Sequence, residues 1–564
     1  MSLVCSLAAF AALVGSNVLP ADTKFYSHGE NQPFCVERNG VSFCFAPGTP
    51  ADYVRKMIAR LPPIPAGQIT PQYQIGGRWS TTASGGTGTR GNPTTLTYSF
   101  APDGTAMPGA AGEPATPSNL TSQFNTAFTS LGGEATWKAK IRTALTGWSN
   151  FGALTYVEVT DDGASLPGNN GRNSAPTRGD VRISGHTIDG AGRILAYNYF
   201  PNFGDMVLDT ADTVNFARTA NDYRFLRNTI AHEHGHGLGF DHSDPIIGTK
   251  LMEAFLNTGF DGQQDDDIRA VQRNYGDRSE NNDSSATATN LGTINGLRTV
   301  PNLSTDSSTD VDWFTLPVSA NSALTVRVIP VGSTYNIGPQ GGTTVSVDTL
   351  RINNLSFDVY AANGTTLLTS RNVAGKGDAE VLTNFVPSGA NGQVYLRTYN
   401  TGTIVNDVQR YRLEVEINES SLSGSVTMQG CLNRSQEMTF DFRVGGVSQF
   451  TRTVTLDSSG SFAINNIPPD NYIVSVKGAK WLRKNVAVDL TNGDFNGFTV
   501  ILLAGDADDD NRVDINDLLA LISVYNTSVP GGGFTDPVDF NCDALYDIND
   551  LLFLIANYNT LGDE

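Results

Sequence analysis

The sequence predicts a multidomain chain: an α/β (α+β) unit first, two β-sandwich modules after it, and a small α-helical unit at the C-terminus. Three observations carry this. At 564 residues the chain is too long for one hydrophobic core, so several domains are expected. Strand-like and helix-like periodicities alternate in the first half, whereas the stretch from about 290 to 503 is a succession of short apolar strands separated by turn residues. Finally, residues 504–564 hold an internal repeat of acidic loops, each running into an apolar helical segment.

Composition narrows the functional classes. Charged residues make up 17% of the chain and the net charge is −20. That balance argues against nucleic-acid binding, which favours basic surfaces, and suits carboxylate sites for cations. The apolar run at 3–14, L-V-C-S-L-A-A-F-A-A-L-V, resembles the core of a secretory signal peptide, assigned to 1–21. No Lys or Arg precedes it, and a buried N-terminal helix is the alternative. No later stretch is long and apolar enough to span a membrane. The expected location is secreted or at the cell surface.

Residues 22–70 read as a leader or pro-segment, ending in the extended L-P-P-I-P at 61–65. Cys35 and Cys44 lie nine apart across Asn39-Gly40. A hairpin disulfide between them is expected in an oxidising compartment. Cys431 and Cys542 fall in different apparent domains, and the sequence leaves them unpaired.

The α/β unit is assigned to 71–278. The stretch 96–100 alternates like a first strand, 154–159 is a second, and 179–184 and 194–201 follow. Between them, Trp137, Ile141, Ala144, Leu145 and Trp148 recur at helical spacing. A helix is predicted from about 222 to 238. It carries the densest chemistry in the chain, since four of the six histidines lie in A-H-E-H-G-H-G-L-G-F-D-H-S at 231–243.

Residues four apart share one face of a helix, so His232 and His236 can bind one metal ion. Gly239 permits a sharp turn that brings His242 round as a third ligand. Three protein ligands leave a fourth zinc position for water, the arrangement of a catalytic site. Glu233, beside the first ligand, is placed to take a proton from that water.

The spacing H-E-x-x-H-x-x-G-x-x-H resembles the metzincin signature, and Met252, ten residues after His242, stands where the Met-turn is expected. Within the metzincins the chain resembles the matrixins. Ser243 follows the third histidine, and D-D-D-I-R-A-V-Q-R-N-Y-G at 265–276 is similar to the helix that closes matrixin domains. Astacins usually carry Glu after the third histidine and Tyr after the methionine, where this chain has Ser243 and Glu253. The resemblance implies a zinc endopeptidase with Met252 underlying the metal. It implies an edge strand whose Ala196, Tyr197 and Asn198 pair with an extended substrate, and a pocket shaped by residues 253–264.

The departures matter too. Many matrixins hold a structural zinc by histidines where this chain has Tyr197 and Val207. His186 and Asp189 cannot complete a tetrahedral site alone, so no second zinc is expected. Asp205, Asp209 and Asp212 are read as an acidic loop, with calcium binding the alternative. The matrixin pro-segment motif P-R-C-G-x-P-D is absent, and Cys44 as a zinc ligand stands only as the alternative to the disulfide.

Beyond a polar linker at 277–289, residues 279–418 form the first sandwich. Its D-V-D-W-F at 310–314 resembles a hallmark of bacterial pre-peptidase C-terminal modules, which implies a substrate- or calcium-binding role or a plain spacer. Residues 419–503 suit a small immunoglobulin-like sandwich with no visible chemistry.

In 504–564 the repeat places oxygen ligands at the loop positions calcium needs. They are Asp506, Asp508, Asp510, Asp514 and Asp517 in one copy, and Asp539, Asn541, Asp543, Asp547 and Asp550 in the other. The pair resembles a type I dockerin, which implies two calcium ions and a cohesin-like or cell-surface partner. Asn511 and Ala544 stand where such loops prefer Gly. The reading is a secreted zinc-dependent endopeptidase acting on proteins or peptides. The alternative is an adhesion protein whose tail modules do the main work beside an accessory or inactive protease fold.

Overall fold

A computed structural model of the chain describes residues 41–58, 73, 75–166, 177–294, 296–318, 322–338, 343–431, 433–491, 493–532 and 535–564. The expected signal peptide, Cys35 and the 61–65 linker lie outside these residues.

The first unit contains β1 (Val41–Phe45), α1 (Ala51–Ile58), β2 (Thr94–Phe100), α2 (Leu120–Ala127), α3 (Gly133–Thr146), β3 (Leu154–Glu158), β4 (Val181–His186), β5 (Ile194–Tyr199), β6 (Met206–Asp209), α4 (Ala220–Gly237) and α5 (Asp265–Tyr275). Its sheet runs β1-β5-β6-β4-β2-β3. The inner pairs β2–β3, β2–β4 and β4–β6 are parallel. β5 is antiparallel to β6, and β1 is antiparallel to β5. Every residue of β4, β5 and β6 is buried, as expected of strands covered on both faces. α3 turns Trp137, Ile141, Ala144 and Leu145 into the same core, where Trp148 joins them.

Residues 41–58 of the expected leader are part of this unit. β1 extends its sheet, and Val54 and Met57 of α1 pack in a cluster with Phe43, Phe45, Tyr197 and Val207. Apolar side chains in the supposed leader need burial, and the face beside β5 supplies it.

Residues 277–288 are also more than a linker. Asp277 is fully buried and accepts from the backbone N–H groups of Ser279 and Ser304, and the carbonyl of Asn282 accepts from Trp313 N. The polar side chains here turn inward onto main-chain donors, and this couples the two units. α5 adds a buried ion pair, Arg269 with Asp407 at 2.7 Å, and Asp407 also accepts from Tyr73.

The next module stacks a four-stranded sheet (Gly296–Thr305, Gln409–Asn418, Ala323–Pro330, Glu380–Phe385) on a five-stranded one containing Val311–Pro317 and Gln393–Thr401. A second sandwich follows, with three strands (Ser461–Ile467, Ser420–Met428, Phe495–Leu502) against four. Its core runs on across 503/504: Trp481, Leu482 and Ala504 cluster with Leu521, Phe540 and Leu554. A Cys431–Cys542 disulfide staples the same junction. The last helices are α6 (Ile515–Val524) and α7 (Ile548–Asn557).

Candidate metal centre and its cleft

α4 begins with a left-handed turn at Asn221, Asp222 and Tyr223 and then runs right-handed under the sheet. It presents His232 and His236 on one face. Gly239, at φ +96°, ends the helix against Gly77, whose carbonyl oxygen would overlap any Cβ there. That reversal returns His242 to the face it left. The three Nε2 atoms stand 3.1, 3.1 and 3.2 Å from one another.

Nδ1 of His232 lies 2.7 Å from Leu251 O, and Nδ1 of His236 lies 2.6 Å from Phe240 O. Each of these nitrogens donates its N–H, so Nε2 keeps its lone pair. Burial holds the three rings neutral, with His232 lowered to about 4 and the other two well below the ordinary value. Neutral imidazole is the ligating form. Three lone pairs this close repel one another unless a cation lies between them. Tetrahedral zinc with Zn–N bonds of 2.0–2.1 Å sets its nitrogens about 3.3 Å apart, so the donor set fits that ion.

Glu233 is fully buried beside this trio, and neither carboxylate oxygen has a hydrogen-bond partner among the described residues. Burial pushes its carboxyl well above the usual range. The fourth histidine of the stretch, His234, faces away and meets Tyr156 OH at 2.7 Å.

Met252 packs against α4, its Sδ filling the space beside Gly235. Glu253 was not singled out from the sequence for any role of its own. Its buried carboxylate accepts from the N–H groups of Ile247, Gly248, Thr249 and Lys250 and so shapes the loop after His242. Ser243 donates to Asp266 at 2.9 Å, tying the residue after His242 to α5.

β5 packs against α4 beside these residues. Ala196, Tyr197 and Asn198 lie opposite Cys44, Phe43 and Ser42 of β1. Cys44 corrects the disulfide expectation. It is a free, buried thiol whose Sγ, a His232 nitrogen and a Glu233 oxygen all lie within 4.8 Å of one another. The strand turns it toward His232 and Glu233 rather than toward an outer hairpin.

His186 meets Glu113 at 3.2 Å and Thr116, and Asp189 accepts from Tyr53. Asp209 and Asp212 accept from loop N–H groups of Asp189, Ala211 and Gly192.

A second acidic constellation was missed from the sequence. Glu280, Asp283 and Asp310 bring carboxylate oxygens within 4.8 Å of one another. Asp277, Asp306 and Asp312 act on the same group. Burial first, and then mutual repulsion, raises Glu280 to about 10 and pushes Asp310 and Asp312 well up. Asp312 Oδ1 and Asn282 Oδ1 are buried without partners. Asp310 of the D-V-D-W-F motif therefore sits in a crowded carboxylate cluster of the kind a divalent cation neutralises, while Asp312 accepts from Tyr411 OH at 2.7 Å.

The C-terminal loops have matching internal bonding. Asp506 accepts from Asn511 N as Asp539 does from Ala544 N. Asp517 accepts from Ala507 N as Asp550 does from Phe540 N. Asp514 and Asp547 cap α6 and α7, and Asp510 and Asp543 accept from Arg512 N and Leu545 N. Asn511 and Ala544 are left-handed, at φ +65° and +69°, the conformation for which such loops prefer Gly. Asp506, Asp508 and Asp517 bring oxygens within 4.8 Å of one another. In the second loop Asn541 Nδ2 instead donates to Asp543.

Residues 115–276 match the family model described as Matrixin. Over 147 residues the chain is 33% identical to Matrix metalloproteinase-2 of Drosophila melanogaster, covering 25% of this chain and 18% of that protein. Over 161 residues it is 30% identical to Matrix metalloproteinase-19 of Homo sapiens, covering 26% and 27%. The chain thus spans roughly a quarter or less of the length of these relatives. Together the matches support a zinc metalloendopeptidase domain.

Among solved structures, a type II cohesin–X-dockerin complex of Acetivibrio cellulolyticus is 21% identical at a TM-score of 0.22, covering 25% of this chain and 97% of that one. The pre-peptidase C-terminal domain of a Bacillus anthracis collagenase is 14% identical at 0.15, covering 23% and 94%. These scores are too low to establish a shared fold.

Proposed function

We propose that the chain is a secreted zinc-dependent endopeptidase. His232, His236 and His242 hold the metal, and Glu233 is the general base. The observation that carries this is the ring of three Nε2 lone pairs, 3.1–3.2 Å apart, with an unpartnered buried carboxylate beside it. Bound zinc would supply a polarised water of lowered pKa. The Glu233 carboxylate takes that water's proton and passes a proton to the amide nitrogen of the leaving segment. Ala196, Tyr197 and Asn198 on β5 hold an extended peptide by main-chain pairing. Export is supported by the Cys431–Cys542 disulfide, since such bonds persist in oxidising compartments.

Calcium is proposed for both C-terminal loops and for the carboxylate cluster around Asp310. A partner for the C-terminal unit is supported by a duplicated, exposed apolar stripe. Ile515, Leu519 and Ile522 on α6 recur as Ile548, Leu552 and Ile555 on α7, all more than half exposed. Monomer surfaces seldom leave such repeated patches open. A cohesin-like or cell-surface protein fits the stripe and would tether the enzyme. This tethering keeps an adhesive role as a companion to proteolysis.

The test is hydrolysis of denatured casein by the purified chain, with and without a chelator, beside Glu233→Gln. Activity should need the metal and fall by about 10²–10⁴ in the variant. Activity that survives the substitution would sink the assignment.

A further inference from the structure

His242 is the least held of the three candidate ligands. His232 and His236 each donate an Nδ1 proton to a main-chain carbonyl, whereas Nδ1 of His242 is buried without a partner among the described residues. A ligating imidazole is ordinarily oriented by such a bond. What fixes His242 instead is its neighbour in the chain. Ser243 N donates to Met252 O at 2.8 Å, and Ser243 Oγ donates to Asp266 Oδ2 at 2.9 Å.

The other oxygen of Asp266 is held by the first sandwich. Tyr335 lies on a two-stranded hairpin, Thr334–Ile337 with Val345–Asp348, which forms a small sheet of its own beside the module's two. Among the described residues of its strands only Tyr335 is buried. Its hydroxyl meets Arg269 Nη1 and Asp266 Oδ1, each at 2.9 Å. A guanidinium can only donate, so the tyrosine oxygen accepts from Arg269 and its single proton is committed to Asp266. Arg269 is itself held by Asp407 at 2.7 Å and by the carbonyl of Val408. The tyrosine ring also faces Lys250 of the loop that follows Ser243, with Nζ 5.9 Å from its centroid. Ser243 and Asp266 are at most 2% exposed, so bulk water does not stand in for either donor.

We propose that Tyr335 is a positioning residue for the third metal ligand, so that the first sandwich completes the metal centre from outside the protease unit. This rests on the zinc-endopeptidase reading. The relay runs from Tyr335 through Asp266 to Ser243 and ends one peptide bond from His242. With both oxygens engaged, the Asp266 carboxylate is fixed in rotation and keeps Ser243 against α5. Removing the tyrosine hydroxyl frees that rotation and loosens the backbone that carries His242. The other two ligands ride on α4 and keep their own carbonyl partners, so the effect falls on one ligand of the three.

The experiment measures the zinc affinity of the full chain by competition with a chromophoric chelator, with kcat and KM for casein in parallel. Tyr335→Phe keeps the ring and deletes the hydroxyl. It should weaken zinc binding about tenfold and lower kcat with KM unchanged. Ser243→Ala should do the same. The double variant should bind zinc no more weakly than the single ones, because both cut one relay. Arg273→Ala is the control: it removes the contacts of α5 with Asp306 O and Asn406 at the same interface and leaves the relay intact. It should keep the wild-type zinc affinity. Wild-type affinity in Tyr335→Phe, additive losses in the double variant, or an equal loss in Arg273→Ala overturns the positioning and leaves the endopeptidase reading standing. A wild-type chain that binds no zinc overturns both.

Discussion

A Cβ on Gly235 would lie 2.3 Å from the Sδ of Met252, so the thioether must shift before a side chain fits between the helix carrying two of the three histidines and the Met252 turn. Trp148 approaches the same point. By intrinsic propensity Gly235→Ala should stabilise a helix by about 1 kcal/mol. Here overpacking should win and the substitution should cost about 1–3 kcal/mol. It should also weaken zinc binding by tilting His232 and His236. Thermal melting and zinc titration of the variant check both; a higher melting temperature with unchanged zinc affinity would refute this account.

The disulfide should matter more than its single bond suggests. Cys431 and Cys542 are separated by 111 residues, and closing a loop of that order is worth up to about 4.7 kcal/mol in the chain-entropy model. The double substitution Cys431→Ser, Cys542→Ser should lower the denaturant midpoint of the C-terminal half by about 2–5 kcal/mol equivalent. It should leave zinc binding unchanged, because the shared core around Trp481 and Leu554 is far in sequence from α4. Equilibrium unfolding with separate probes on the two halves decides this.

The effect of Asp310→Asn should depend on calcium. Without a divalent ion the crowded cluster already keeps the Asp310 carboxyl protonated, so the amide replaces a neutral acid and the melting temperature should move little. With calcium present the same change deletes a ligand and should lower it by about 2–4 °C. A variant that shifts equally in both conditions would show that no cation is held there.

Asp267 gives a pH dependence away from the histidines. Burial, and then the charge of Asp266, holds its carboxyl at about 7, and Asp266 itself stands at about 6 through burial. Both are raised above an unfolded value of about 3.9. Between those limits the folded chain keeps protons that the unfolded chain has lost. Stability should therefore fall as pH rises from about 4 to about 7. Asp267→Asn should flatten that fall. It should also lower stability throughout, because one amide oxygen cannot replace both carboxylate oxygens toward Gln264, Leu251 and Met252 N–H. Urea midpoints in a Glu233→Gln background, across that pH range, measure the difference in slope.

What lies within a turn or two of helix or loop was legible in residue spacing. The spacing of His232, His236 and Gly239 carries the trio, because helical geometry and one left-handed glycine are local properties. The amphipathic side of α3, the alternation of the strands and the duplicated acidic loops were readable for the same reason. Tertiary structure alone decided the long-range pairings. It set Cys44 beside His232 and Glu233, nearly 200 residues away in sequence, because burial of Phe43, Val54 and Met57 drives β1 onto the edge of β5. It joined Cys431 to Cys542, because the second sandwich and the C-terminal helices fill one core. And it gathered Glu280 and Asp283 with Asp310, because the polar stretch after α5 folds inward. Each of these depends on which apolar faces cover one another, a property of the whole chain that no local spacing encodes.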